Sequence, residues 1–253
     1  MLWDSCADRL HQAQLSFESR AFQAAAREFT EALEVCPQRD AILVSLGQTQ
    51  FLAGDEAGAE RTLLQAINLT AARYALGRIY YQQGRYVEAA AQLEQVIARE
   101  PENYRAHDNL ALCYDALQRD SDALRHFFRA LDLVKDAHRE YDWAYANLAE
   151  FFLKREQFGK AFPLAVEAAE RNPNSARNFF LAGQALVKLG QFQNSVKWLK
   201  RAVELDPSHA EAHYQLGQTL RRLGQTEEAK VHLDAFRKLK AETPSTPARQ
   251  PIR

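Results

Sequence analysis

Three observations predict an all-α fold in which short helices pair into helix-turn-helix repeats and stack. A pattern of Gly, six residues, Gly, then Ala, three residues and a bulky apolar residue returns mostly every 34 residues. Eight of the ten glycines fall at two positions of that pattern, and four of the eight prolines fall at a third. Aligned on it, the 253 residues divide into seven repeats beginning at Cys6, Asp40, Thr70, Tyr104, Asp142, Ala176 and Ala210. A period of this length marks a protein whose repeats bury their apolar faces only against neighbours. Residues 1–241 therefore read as one elongated domain and 242–253 as a tail.

The first helix of each repeat carries its signal at position eight, with Gly47, Gly77, Gly183 and Gly217. A glycine inside a helix costs about 1 kcal/mol relative to alanine, so its recurrence implies that two helices approach closely there. The turn follows at position fifteen, where Gly54, Gly84, Gly190 and Gly224 supply the freedom at positive φ that ends a helix. The second helix shows small residues at position twenty (Ala25, Ala59, Ala89, Ala123, Ala161, Ser195, Ala229). Four residues later come Phe29, Leu63, Leu93, Phe127, Leu199 and Leu233 on the same face, with Ala165 the weak member. Pro37, Pro101, Pro173 and Pro207 close their repeats at position 32, outside any helix interior. The stretch Thr243–Arg253 is rich in Pro and Thr and poor in apolar residues, so it is expected to be disordered.

Two repeats break the period: the second has 30 residues and the fourth 38. Four residues are about one helical turn, so each change keeps the apolar face nearly in phase. The second repeat is expected to lose a turn. Leu131–Tyr141 has no Pro or Gly, which predicts one extra projecting turn on the second helix of repeat four or on the helix that follows. Pro163 lies inside the second helix of repeat five, where it removes the bond to the Gly159 carbonyl and implies a kink or a late helix start. Both ends read as caps: Arg9 and Gln12 stand where other repeats are apolar, and Lys230, Asp234, Arg237 and Lys238 surround the stripe Ala229, Leu233, Phe236.

Composition narrows the function classes. With 32 Lys+Arg against 33 Asp+Glu and a net charge of -1, the electrostatic attraction needed for nonspecific nucleic-acid binding is missing. No apolar run approaches the roughly 18 residues of a membrane span. Cys6, Cys36 and Cys113 are odd in number and widely spaced, which matches neither a disulfide framework nor a metal pattern. Free thiols and a cytoplasmic location are the expectation, with export the alternative if a leader has been removed.

These residues resemble the tetratricopeptide repeat family from about residue 6 to 241. Repeat three carries Leu76, Gly77, Tyr80, Gly84, Ala89, Leu93 and Pro101 of the family pattern, with Val96 in place of Ala. Repeat six carries Gly183, Gly190, Leu199, Ala202 and Pro207, and repeat seven Leu216, Gly217, Gly224 and Ala229. The resemblance implies a right-handed α-solenoid whose first helices line a concave groove. It also implies that positions 2, 5, 6, 9, 12 and 13 face that groove.

Those positions hold Tyr74, Arg78 and Tyr81 in repeat three and Arg105, Asp108, Asn109 and Asp115 in repeat four. They hold Trp143, Asn147, Glu150 and Lys154 in repeat five, Arg177, Phe180, Gln184 and Lys188 in repeat six, and Tyr214, Gln218, Arg221 and Arg222 in repeat seven. Aromatics and arginines are favoured anchors, and amides satisfy an extended backbone. Asn109 and Asn147 both sit at position six, similar to the asparagine ladders with which some family members hold a peptide main chain. Trp143, next to the insertion, has burial against a neighbouring helix as its competing fate. In repeats six and seven, Arg177, Lys188, Arg221 and Arg222 oppose Glu211, which makes one end basic and suited to an acidic segment. The residue set with which some members clamp an acidic chaperone tail is matched only at Asn109, so that role is disfavoured.

His209 and His213, four apart, form the best metal-like pair, but their places in a turn and at a packing position point to structural roles. Cys113 and His107 lie on different helix faces, and the glycines are already assigned to turns and crossings. No cofactor or metal is expected. The sequence thus predicts a non-enzymatic, monomeric scaffold that takes up a peptide segment of another protein. A self-assembly module is the alternative, and an enzyme with a cryptic metal site is the remote one.

Overall fold

The computed structural model describes residues 2–242, with side chains from residue 6 onward. The described residues form fourteen α-helices and no strand. Over these residues the chain divides into two compact halves, one ending at Ala123 and the other beginning at Leu124. The N-terminal half contains α1 (Leu2–Glu18), α2 (Phe22–Val35), α3 (Arg39–Leu52), α4 (Glu56–Gln65), α5 (Thr70–Gln82), α6 (Tyr86–Arg99) and α7 (Tyr104–Ala116). The division falls inside α8 (Asp120–Val134). The C-terminal half continues with α9 (Trp143–Lys154), α10 (Phe158–Arg171), α11 (Ala176–Lys188), α12 (Phe192–Leu205), α13 (Ala210–Arg222) and α14 (Thr226–Glu242). Odd-numbered helices are the first helices of the seven repeats. The segment 243–253, expected to be disordered, lies outside the described residues, and Glu242 belongs to α14.

The glycine at position eight is where the two helices of a repeat touch. A Cβ on Gly183 would lie 2.7 Å from Leu199 Cγ, and one on Gly47 would lie 2.5 Å from Leu63 Cγ. Gly77 meets Leu93 and Gly217 meets Leu233 in the same way. The helix-weakening residue is therefore retained for the leucine of its own repeat, a fully buried side chain worth about 2 kcal/mol at Leu63, Leu93 or Leu199. Repeat five solves the same contact differently, with Ala149 and Ala165 at these two positions, both fully buried. Ala165 looks weak in isolation and is matched by its partner position.

Every first helix ends in one turn geometry. The N–H at position fifteen bonds to the carbonyl at position twelve, and the next N–H reaches back to position eleven, as in Gly84 N to Tyr81 O at 3.0 Å and Arg85 N to Tyr80 O at 2.8 Å. Position fifteen takes positive φ in all seven repeats: glycine in four, and Arg20 (62°), Gln118 (59°) and Glu156 (58°) in the rest. The last three hold a left-handed conformation that side chains disfavour.

The 30-residue repeat behaves as expected: α4 has 10 residues where α6, α10 and α12 have 14. The 38-residue repeat does not. Its second helix, α8, has only 15 residues, and the extra chain forms an irregular connection over 135–142. The expected projecting turn is absent, and Arg171 meets the end of α8. Its guanidinium donates to the carbonyls of Val134 (3.2 Å), Lys135 (2.9 Å) and His138 (3.4 Å) and to Tyr145 Oη (3.1 Å), and it lies 4.3 Å from the Tyr145 ring. Those terminal carbonyls would otherwise invite another turn. Tyr141 and Asp142 then fold inward, and Asn178 Nδ2 donates to Asp142 Oδ2 at 2.6 Å. Of the two outcomes expected at Pro163, the late start does not occur: α10 begins at Phe158, the same repeat position at which α6 and α12 begin, and Pro163 lies inside it.

At the N-terminal end α1 leaves His11, Gln12 and Leu15 exposed. Cys6 and Cys36 are joined by a disulfide, which corrects the free-thiol expectation for two of the three cysteines. They stand at positions 1 and 31 of repeat one, the two free ends of a helical hairpin, and hairpin geometry brings those ends together across 30 residues of sequence. Cys113 is free and buried, and burial pushes its thiol pKa upward.

Candidate functional site

In the C-terminal half, three of the residues selected from the sequence, Trp143, Asn147 and Glu150, meet the guanidinium of a fourth, Arg177. Position two of α11 places Arg177 against α9, where Trp143, Asn147, Glu150 and Lys154 follow one another at helical spacing. Arg177 Nη2 donates to Asn147 Oδ1 at 2.9 Å and to Glu150 Oε2 at 2.8 Å, and its Cζ lies 4.9 Å from the Trp143 ring centre. Lys154 Nζ completes the group 3.3 Å from Glu150 Oε1. Trp143 is half-buried, so the fate of lone burial is replaced by a stacked, accessible pair. Asn147 is buried, at 3% exposure, and serves to hold Arg177.

The N-terminal half has its own cluster on α5 and α7. Asn109 Nδ2 donates to Tyr74 Oη at 2.9 Å, and Arg78 stands 5.9 Å from the Tyr74 ring centre. Arg105 and Asp108 act on the same phenol electrostatically, and burial pushes its pKa up to about 12. Asn109 and Asp108 are each 1% exposed, whereas Arg105 is exposed. The two asparagines at position six thus play opposite parts, one donating to a phenol and the other accepting from a guanidinium.

The remaining candidates are less gathered. Tyr81 packs edge-on against Tyr86 at 5.3 Å, and Phe180 lies 4.7 Å from the His209 ring. Gln184 and Gln218 are half-buried and Lys188 is exposed. Tyr214 leans on Phe236 of α14 at 4.9 Å. Arg221 joins Lys230 and Arg237 of α14 around a cleft of about 150 Å³, away from the Arg177 group. The expected basic end keeps its sign with altered membership. Arg177 is neutralised by Glu150, and Lys188, Arg221 and Arg222 are the exposed cations.

His209 and His213 face different partners. His209 Nδ1 accepts from the Ala212 N–H at 3.4 Å as a helix cap, and burial lowers its pKa. His213 Nε2 faces the Pro207 carbonyl at 3.2 Å, and its Nδ1 lies 3.1 Å from His232 Nδ1. Among the described residues no group of three or more His, Cys, Asp or Glu side chains could hold a metal ion.

A recurrent polar joint was overlooked in the sequence. Tyr80 Oη donates to Glu60 Oε1 at 2.8 Å, Arg85 Nη1 donates to Glu60 Oε2 at 2.9 Å, and the Arg85 guanidinium sits 4.0 Å from the Tyr80 ring. Tyr114, Glu94 and Arg119, each 34 residues later, repeat the tyrosine–glutamate bond and the arginine stacking. The hydrogen bonds to Arg85 lower the Glu60 pKa, and burial raises both phenols to about 12. The signal was present as identical residue types one period apart.

No helix among the described residues is long and apolar enough to cross a membrane. A family model described as tetratricopeptide repeat matches residues 74–138, and another described as TPR repeat matches residues 183–229. No curated protein matches the sequence. Among solved structures, the fold is similar to a tetratricopeptide repeat protein from Parabacteroides merdae at 14% identity, with a TM-score of 0.71 over 96% of this chain and 95% of that one. It is also similar to residues 41 to the end of MamA from Desulfovibrio magneticus RS-1 at 20% identity, with a TM-score of 0.59 over 70% and 97%. MamA AMB-1 gives 23% identity and a TM-score of 0.57 over 68% and 99%. The two family matches fall on helix pairs built to one pattern, so the chain carries tetratricopeptide repeats over residues 74–138 and 183–229.

Proposed function

We propose that this protein is a non-enzymatic interaction scaffold that holds a peptide segment of another protein against its first helices, with the α9–α11 face as the principal contact. The observation that carries this reading is the Arg177 group. A guanidinium stacked on Trp143 and fixed by Asn147 and Glu150 is pre-organised, so little side-chain freedom is lost when a ligand arrives. Phe180, Gln184 and Lys188 extend the same helix with an apolar, an amide and a cationic contact. The N-terminal cluster around Tyr74 offers Arg78 and Arg105 in the same style.

Capture from native extract tests this with the triple variant Trp143→Ala, Gln184→Glu, Lys188→Glu, which spares the buried asparagines. Loss of the captured protein with an unchanged circular dichroism spectrum and melting temperature is the expected outcome. Retention at equal yield would reject the face. The Cys6–Cys36 bond favours an oxidising compartment, and so supports the exported alternative over the cytoplasmic one. Alkylation of freshly lysed cells checks it: Cys6 and Cys36 should resist labelling until reduced.

A further inference from the structure

The far end of the C-terminal half carries a second surface, distinct from the α9–α11 face. In repeat six, Val187, Val196 and Val203 pack on the following first helix, α13, through its buried Ala212, Leu216 and Leu220. Shifted by one period of 34 residues, those three valines become Arg221, Lys230 and Arg237 in repeat seven. Phe192 likewise becomes Thr226, while the floor, Ser195 and Leu199 in repeat six, becomes Ala229 and Leu233. The result is a cleft of about 150 Å³ with an apolar floor and three exposed cations on its rim. A water-facing cap needs only polar residues, and nothing in capping selects one sign of charge at all three rim positions.

We infer that this cleft receives an acidic amphipathic helix of a partner protein, seated where an eighth repeat would place its first helix. The register fixes the shape of the occupant, because in the preceding repeat the same positions hold a helix with small and leucine residues at i, i+4 and i+8. The rim fixes its charge. Thr243–Arg253 of this chain is a poor occupant, since it contains Arg249 and Arg253, no Asp or Glu, and three prolines. Asp234, paired with Arg237, stands beside the rim and leaves Arg221 and Lys230 as the stronger contacts.

The probe is an acetylated, amidated, fluorescent helix of about 18 residues with Ala, Leu and Leu at i, i+4 and i+8 and Glu on the flanks. Its twin has Lys for every Glu. Anisotropy titration of the full chain should show saturable binding of the Glu peptide and at least tenfold weaker binding of the twin, with affinity falling as salt rises. The variant Arg221→Glu, Lys230→Glu, Arg237→Glu changes only exposed side chains. It should weaken the Glu peptide at least tenfold and strengthen the Lys twin. Equal binding of the two peptides, no binding of the Glu peptide, or undiminished binding to the reversed variant would overturn the inference. Oligomers seen by light scattering that the reversed variant dissolves would assign the cleft to a second copy and overturn it as well. The α9–α11 triple variant should bind the Glu peptide normally, which separates this result from the fate of the peptide-face proposal.

Discussion

Repeats two and four depart from the period by four residues in opposite directions, and the chain absorbs the two changes by different means. The deletion shortens α4 by one turn and leaves the turn geometry intact. The insertion leaves α8 almost unchanged and becomes an irregular connection instead. The shortened helix keeps its last carbonyls bonded, because those of Leu63, Leu64 and Ala66 accept the N–H groups of Ala66, Ile67 and Leu69 in the following turn. Adding a turn leaves its outcome to whatever meets the helix end. Both irregular repeats are followed by one with arginine at position 30, Arg99 and Arg171, and the other five repeats have Val35, Leu69, Leu133, Leu205 and Leu239 there. Arg99 is exposed and donates to the Asn68 carbonyl, whereas the Arg171 side chain is 6% exposed and caps three carbonyls and a phenol. A four-residue change in length is thus paired with a cation in the next repeat, lightly used at the deletion and heavily used at the insertion.

Arg171→Ala breaks the comparison most severely. It should cost about 3 kcal/mol by removing several charge-assisted bonds, with a side chain that is itself nearly buried, read as an earlier urea midpoint and lost hydrogen-exchange protection over 134–142. A smaller effect is expected in the regular sixth repeat, where Gly183→Ala drives a methyl into Leu199. A loss of about 1–3 kcal/mol in urea unfolding should outweigh the gain in helix propensity. Arg99→Ala should move the same midpoint by less than about 1 kcal/mol, as befits an exposed cap. If Arg99→Ala and Arg171→Ala cost the same, the contrast between the two sites is wrong. Smallest, and opposite in sign, is Gln118→Gly, which should stabilise by up to about 1 kcal/mol because position fifteen demands positive φ whatever residue holds it.

Much of the fold was legible because its determinants are local and periodic. Gly47, Gly77, Gly183 and Gly217 announce the helix contact, and the leucine that fills each lies sixteen residues on. The connection over 135–142 was not legible by that reasoning. It is bonded to a side chain some 35 residues away, Arg171, and helical phase alone favours one more turn. The disulfide was hidden by counting cysteines, and repeat register would have found it, since positions 1 and 31 are the meeting ends of a hairpin. For the candidate site, register grouped Trp143, Asn147, Glu150, Lys154 and Arg177, and their side chains do come together. It could not show that Asn109 and Asn147 are buried and already committed, because burial depends on neighbouring side chains as well as on position.

The central claim is that a peptide segment lies along α9 and α11. Its most direct test is a photo-crosslinking residue placed at Gln184, with a second version at Glu170, an exposed residue of the second helix α10. Irradiation in native extract followed by mass spectrometry should yield one discrete peptide adduct at position 184 and none at position 170. Equal adducts at both positions, or none at 184 while the protein still captures its partner, would contradict the account.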